Sequence, residues 1–281
     1  MISGPLFAGL VALCSALPLT HASVIPVDGS QAILGHDELD PSHSPESIPL
    51  NEAALFSRPS WYTSALMARR LLALVPSGVI STVFPDPIPP SAHAPASVAG
   101  IPIGLREYIS DCDGDLPRDL SHGDNGDPTI LALRVATTFK NIGAGSNLSL
   151  ELDWWDHLTD AGPVYPGLPL SAAALPRVTL FGYLETLPEL SDRALASLET
   201  CFLQSHPDAK VWLPGARGSP HASFWARLVV THAYWIGGFG DVQQIGWMNM
   251  TEWKGIRRHG SVAGVGDGRG WEDVRLPGEK S

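Results

Sequence analysis

The longest unbroken strand pattern in the chain runs from Phe224 to Ile236. Strict alternation places Phe224, Ala226, Leu228, Val230, His232, Tyr234 and Ile236 on one face and Trp225, Arg227, Val229, Thr231, Ala233 and Trp235 on the other. Both faces are largely apolar, which predicts a strand covered on both sides, as in a closed barrel or a sheet capped by a second subunit. Gly237-Gly238-Phe239-Gly240 ends it, since consecutive glycines reach positive φ without a steric penalty.

The same reading upstream gives a helix over Ser60 to Leu74, capped by Ser60 and stopped by Pro76-Ser77-Gly78. Strands follow at Val79–Phe84, Ile101–Ile109, Thr129–Ala136, Asn147–Trp155 and Arg177–Glu185, where Gly182 allows a bulge or a close approach. Thr137 to Asn141 reads as the entry to a glycine-containing turn. A second helix spans Asp192–His206 and ends at Pro207, and a short strand, Val242–Trp247, comes last. Regular βαβ alternation is missing, so a parallel nucleotide-binding sheet is not expected. The pattern predicts a mainly β fold with flanking helices, built as a small closed or half-open barrel.

Composition adjusts this picture at the ends. Residues 1–22 hold an apolar run, Leu6–Leu17, of signal-peptide length with a small-residue exit at Thr20-His21-Ala22. Residues 23–59 are polar and proline-rich, as a flexible arm would be, and 258–281 are glycine-rich and charged, which reads as a disordered tail. No later stretch is long enough to span a bilayer. Together these predict entry into the secretory pathway and no membrane span in the mature chain. The formal net charge of -11 argues against nucleic acid, which requires clustered Lys and Arg.

Removal of the leader takes Cys14 with it and leaves Cys112 and Cys201 of the three cysteines. In an oxidising compartment these would pair if geometry allows, with a stabilisation of roughly 4 kcal/mol for so long a loop. Asn147-Leu148-Ser149 and Asn249-Met250-Thr251 are glycosylation sequons. The acidic run Asp111-Cys112-Asp113-Gly114-Asp115 fails as a calcium loop, because its glycine falls one place early and His122 stands where a bidentate Glu belongs, so a solvated acidic loop is expected. No HExxH, CxxC pair, GxSxG or complete dinucleotide fingerprint is present, and no metal site or catalytic residue is assigned. His206 is placed at a helix end and His232 is expected to be a hydrogen-bonded structural residue.

The segments ARRLLALVPSGVISTV (68–83), DPTILALRVATTFKNIGAGSNLSLELDW (127–154), HPDAKVW (206–212) and WARLVVTHAYWIGGFGD (225–241) resemble the CREG-like family. That family is a branch of the FMN-binding split β-barrels related to pyridoxamine 5′-phosphate oxidase, and the likeness runs over roughly residues 60–257. The resemblance implies a six-stranded split β-barrel, usually a homodimer, in an extracellular or vacuolar/endolysosomal glycoprotein. It implies no functional flavin pocket and action by binding an unidentified protein partner. A flavin phosphate would want several cations at one loop, and the matching region offers Arg134 and Lys140, with Asn141 and Ser146 as neutral donors. Ordinary surface charges are the expectation there, hence no cofactor, with an FMN-dependent oxidoreductase as the alternative and haem binding as a distant third. Trp225 and Trp235 are the expected subunit contacts.

Overall fold

The computed structural model describes residues 57–280, apart from 118–119, 160, 165–169 and 240–241. The leader and nearly all of the N-terminal arm therefore lie outside the described residues. Helix α1 (Trp61–Leu74) begins where the Ser60 hydroxyl accepts the Thr63 N–H at 3.0 Å, and it is buried at Tyr62 and from Ser64 to Leu72. Strands β1 (Ser77–Val83), β2 (Pro102–Ser110) and β3 (Thr129–Leu133) follow, then helix α2 (Thr137–Gly143) in place of the expected turn. Strands β4 (Leu148–Asp153) and β5 (Arg177–Thr186), helix α3 (Asp192–Ser205), strands β6 (Ser223–Ile236) and β7 (Ile245–Trp247), and helix α4 (Met250–Gly255) complete the order.

The sheet runs β3-β2-β1-β4-β5-β6-β7 with every pairing antiparallel, and β3 also pairs with β6. That last pairing closes a six-stranded barrel and leaves β7 as an added strand. Ile80, Leu150, Leu180, Leu228 and Trp235 fill the barrel together with the apolar side of α1. A second apolar cluster lies on the outer wall, where Leu198 and Phe202 of α3 cover Leu131 and Trp225.

Strand β6 departs from strict alternation. Gly182 pairs with Val230 and Phe181 with His232, so Thr231 is an extra residue, a β-bulge. Before it, Leu228 and Val230 face the core; after it, Ala233 and Trp235 do. Thr231 and His232 are both exposed. Gly182 is required here, because a Cβ at that position would lie 1.9 Å from the Val229 carbonyl oxygen. The bulge corrects the expectation that Trp225 and Trp235 share a face and contact a second subunit. Trp225 packs edge-on against Phe202 on the outer wall, at 5.0 Å, and Trp235 is fully buried inside the barrel.

Residues 258–280, expected to be a disordered tail, are folded against α1. Val274 and Leu276 enter the main core, and the Tyr62 hydroxyl donates to the Arg269 carbonyl at 2.8 Å. Gly266 sits at φ +59, where a Cβ would fall within the Tyr62 ring's contact distance, at 2.0 Å. Buried Arg70 grips both carboxylate oxygens of Glu279. Low hydrophobicity concealed this segment, since a few apolar anchors and one ion pair hold it in place of a periodic face.

Candidate functional site

A cleft of about 320 Å³ opens on the outer wall between β2, β3 and the turn Pro207–Trp212. Arg106, Glu107, Tyr108, Leu131, Leu133 and Trp212 line it. Behind it, His206 is buried between the rings of Tyr108 and Phe202, both at 4.7 Å. Its Nε2–H donates to the Ile109 carbonyl at 2.8 Å, which fixes that nitrogen as the protonated one. The helix-end placement of His206 is thus correct, but the ring is a buried pin tying α3 to β2. The Tyr108 hydroxyl donates to Asp208, which raises the phenol above its usual range and lowers the carboxyl. Burial raises Glu107. A pair held this way orients side chains but does not bring a base close to neutrality.

The four residues offered as phosphate contacts each have a definite place in the fold. The Arg134 guanidinium lies over the Phe224 ring at 4.8 Å, beyond the end of β3. Asn141, buried in α2, donates from Nδ2 to the Thr82 hydroxyl of β1 at 3.1 Å. Ser146 accepts the Val83 N–H at 2.8 Å and donates to the Asn147 carbonyl. These two side chains fasten α2 and its following turn to β1, leaving Lys140, exposed in the last turn of α2. The cation of the cleft, Arg106, donates to Asp156 at 2.8 Å and to Ser77 at 3.0 Å. Only two of the four, Arg134 and Lys140, are cations, whereas a flavin phosphate wants several cationic N–H groups converging on one place.

A buried network of charges lies elsewhere, and the sequence reading misplaced it. The segment Asp111–Asp127 is not a solvated acidic loop. Asp113 is 1% exposed and accepts from Arg227 Nη1 at 2.8 Å, from the His122 and Asp124 N–H groups and from Ser121. Asp127, fully buried, accepts the Val230 N–H at 2.8 Å and pairs with Lys254 and His122. Arg69, fully buried in α1, donates to the Trp253 and Ile256 carbonyls and to Asp124, and stands 3.7 Å from Asp111. The available signal was an Arg-Arg pair inside an apolar helix and an Arg within an apolar strand, each of which requires a buried acid. Within this segment Cys112, just past β2, is bonded to Cys201 of α3 across 89 residues, resolving what the sequence left open. The group Cys112, Asp115 and Cys201 offers no thiolate for a metal, because its two sulfurs are joined.

Asp111 makes this network sensitive to pH. Its Oδ1 is buried without a hydrogen-bond partner. Burial is the main reason its pKa rises from 3.8 to about 6, with Arg69 opposing and Asp124 and Asp113 reinforcing the shift. A folded-state pKa above the unfolded one means that the fold favours the protonated acid. Its contribution is therefore fully present below about pH 4 and is lost as pH rises through about 6, a change of about 3 kcal/mol. Asp111→Asn is expected to flatten this part of the stability–pH curve and to raise stability at pH 7 relative to wild type. Urea titrations at pH 4.5 and pH 7 test this, and a mutant curve parallel to that of the wild type refutes the assignment.

Both sequon asparagines are exposed. Among the described residues no helix is long and apolar enough to cross a membrane. The CREG β-barrel family model matches residues 59–254, most of the chain. The chain belongs to the CREG β-barrel family. Comparison with curated protein sequences gives no match. Among solved structures, the CREG barrel is similar to a heme-binding protein from Mycobacterium smegmatis, at 18% identity and TM-score 0.44, covering 70% of this chain and 61% of that one. An FAD-binding protein from Mesorhizobium loti is similar at 16% identity and TM-score 0.35, over 60% and 91% of the two chains. A heme storage protein from Vibrio cholerae is similar at 10% identity and TM-score 0.34, over 65% and 89%. Likeness at this level carries nothing about the cofactor of this CREG barrel.

Proposed function

We propose that this CREG-family chain is a glycoprotein of the secretory route, extracellular or vacuolar/endolysosomal, whose barrel works without a flavin by binding another protein, as a homodimer. The observation that supports the reading is the use of Asn141, Ser146 and Arg134 in local contacts within the chain. The disulfide supports an oxidising destination. Subunit contact, if through aromatic residues, has to use others than Trp225 and Trp235, which the fold buries within one chain.

The test is the absorption spectrum of the full chain purified from a eukaryotic secretory host, followed by titration with FMN and with haem. A colourless protein that takes up neither at micromolar concentration is expected. A yellow preparation with stoichiometric FMN overturns the reading in favour of an oxidoreductase, and a stoichiometric haem band overturns it in favour of haem binding.

A further inference from the structure

Trp247 is the most exposed large apolar side chain among the described residues, at 60%. It stands on the outer face of β7, with Tyr234 at 5.1 Å, Phe181 at 5.5 Å and His232 at 6.3 Å between ring centroids. The bulge at Thr231 is what turns His232 and Tyr234 outward to meet it. The extended backbone continues one residue beyond β7, because the Met248 N–H donates to the Ala233 carbonyl at 2.9 Å. Met248 enters the core. Its two neighbours, Trp247 and Asn249, therefore project on the same outer side, as residues i and i+2 of a strand do, about 7 Å apart.

Asn249 is the N-cap of α4, and its Oδ1 accepts the Thr251 N–H at 2.9 Å. This bond engages the oxygen of the amide and leaves Nδ2 outside it, and both Asn249 and Thr251 are exposed. The run Trp247-Met248-Asn249-Met250-Thr251 thus combines an exposed indole, a buried spacer and an exposed acceptor.

We infer that the indole of Trp247 is the platform on which the first N-acetylglucosamine of a glycan on Asn249 stacks. The inference rests on the secretory reading above. On transfer, Nδ2 loses a proton as it forms its bond to sugar C1, and the lipid pyrophosphate departs as leaving group. The sugar then presents a face of axial C–H bonds, weakly positive, to the electron-rich face of the indole, the geometry aromatic rings favour. The stack fastens the sugar to β7 and covers part of the ring cluster that would otherwise stand in water. Asn147 has no such platform two residues before it, where Gly145 stands, and serves as an internal control.

The experiment expresses the full chain in eukaryotic cells as wild type, Trp247→Ala, Trp247→Phe and Thr251→Val, the last removing the sequon while keeping the Asn249 cap. Glycopeptide mass spectrometry gives occupancy at both asparagines, and calorimetry gives Tm before and after trimming the glycans to their first sugar. Occupancy at Asn249 is expected to fall about two- to ten-fold in Trp247→Ala, with Trp247→Phe close to wild type and Asn147 unchanged. Wild type trimmed to one sugar should melt about 2–4 °C above Thr251→Val, and that advantage should vanish on the Trp247→Ala background. An occupied Asn249 with the same occupancy and Tm gain in Trp247→Ala overturns the stacking alone. Sugar on Asn147 but none on Asn249 does the same. Bare asparagines at both positions overturn the stacking and the glycoprotein reading together.

Discussion

A chain ending at Arg257 is expected not to fold. Truncation there removes Val274 and Leu276 from the core, each worth about 1.5–3 kcal/mol of buried apolar surface. It also strips buried Arg70 of Glu279, and removing one partner of a buried ion pair costs about 3–5 kcal/mol. Tyr62 loses its acceptor at Arg269 as well. The sum is comparable to the whole stability of an ordinary domain, about 5–15 kcal/mol. The measurement is soluble yield and near-ultraviolet circular dichroism of the truncated chain. Glu279→Gln provides a milder case, keeping the tail while removing the charge that answers Arg70, and should lower the urea midpoint clearly. A truncated chain that melts with the wild type would show the tail to be ornamental.

The second large effect is expected at Arg227. Its guanidinium joins three separate pieces: Asp113 at 2.8 Å, Glu185 of β5 at 2.5 Å and the Leu120 carbonyl at 2.8 Å. Arg227→Met keeps the length and apolar stem but leaves the charge of Asp113 without its cation. A loss of about 3 kcal/mol is expected, near the low end for such deletions because two N–H groups and a hydroxyl still reach Asp113. Arg227→Lys should recover little, since a single ammonium cannot span three acceptors. Arg227→Met with Asp113→Asn should cost less than the two single changes added together, as coupled partners do. Urea midpoints at constant m-value decide the matter; strict additivity in that cycle would show that the two residues act independently.

Much of the barrel was readable in advance because strands and helices carry their own periodicity. The six barrel strands and the two long helices sit where alternation, the Ser60 cap and the stop at Pro207 place them. What failed was whatever depended on contacts distant in sequence. The short helix α2 was hidden because seven residues hold too few turns to show a period. The buried acids between Asp111 and Asp127 looked soluble because their cations come from α1, β6 and α4. The side assigned to Trp235 was wrong because one extra residue cannot be seen in a pattern that is apolar on both faces. Of the candidate site, the residue types were legible, but whether Asn141 and Ser146 were free to hold a ligand depended on β1, some sixty residues away in sequence.

The bulge in β6 also links two positions that lie far apart in the chain. Thr231 adds length to one strand, and the missing side chain at position 182 makes room for the displaced backbone of the other. Neither change is tolerable alone: a side chain at 182 collides with the Val229 carbonyl, and a chain one residue shorter at 231 rotates Ala233 and Trp235 out of the core. Relatives that delete the residue should therefore also be released from glycine at the facing site. That correlated loss can be counted in sequences alone.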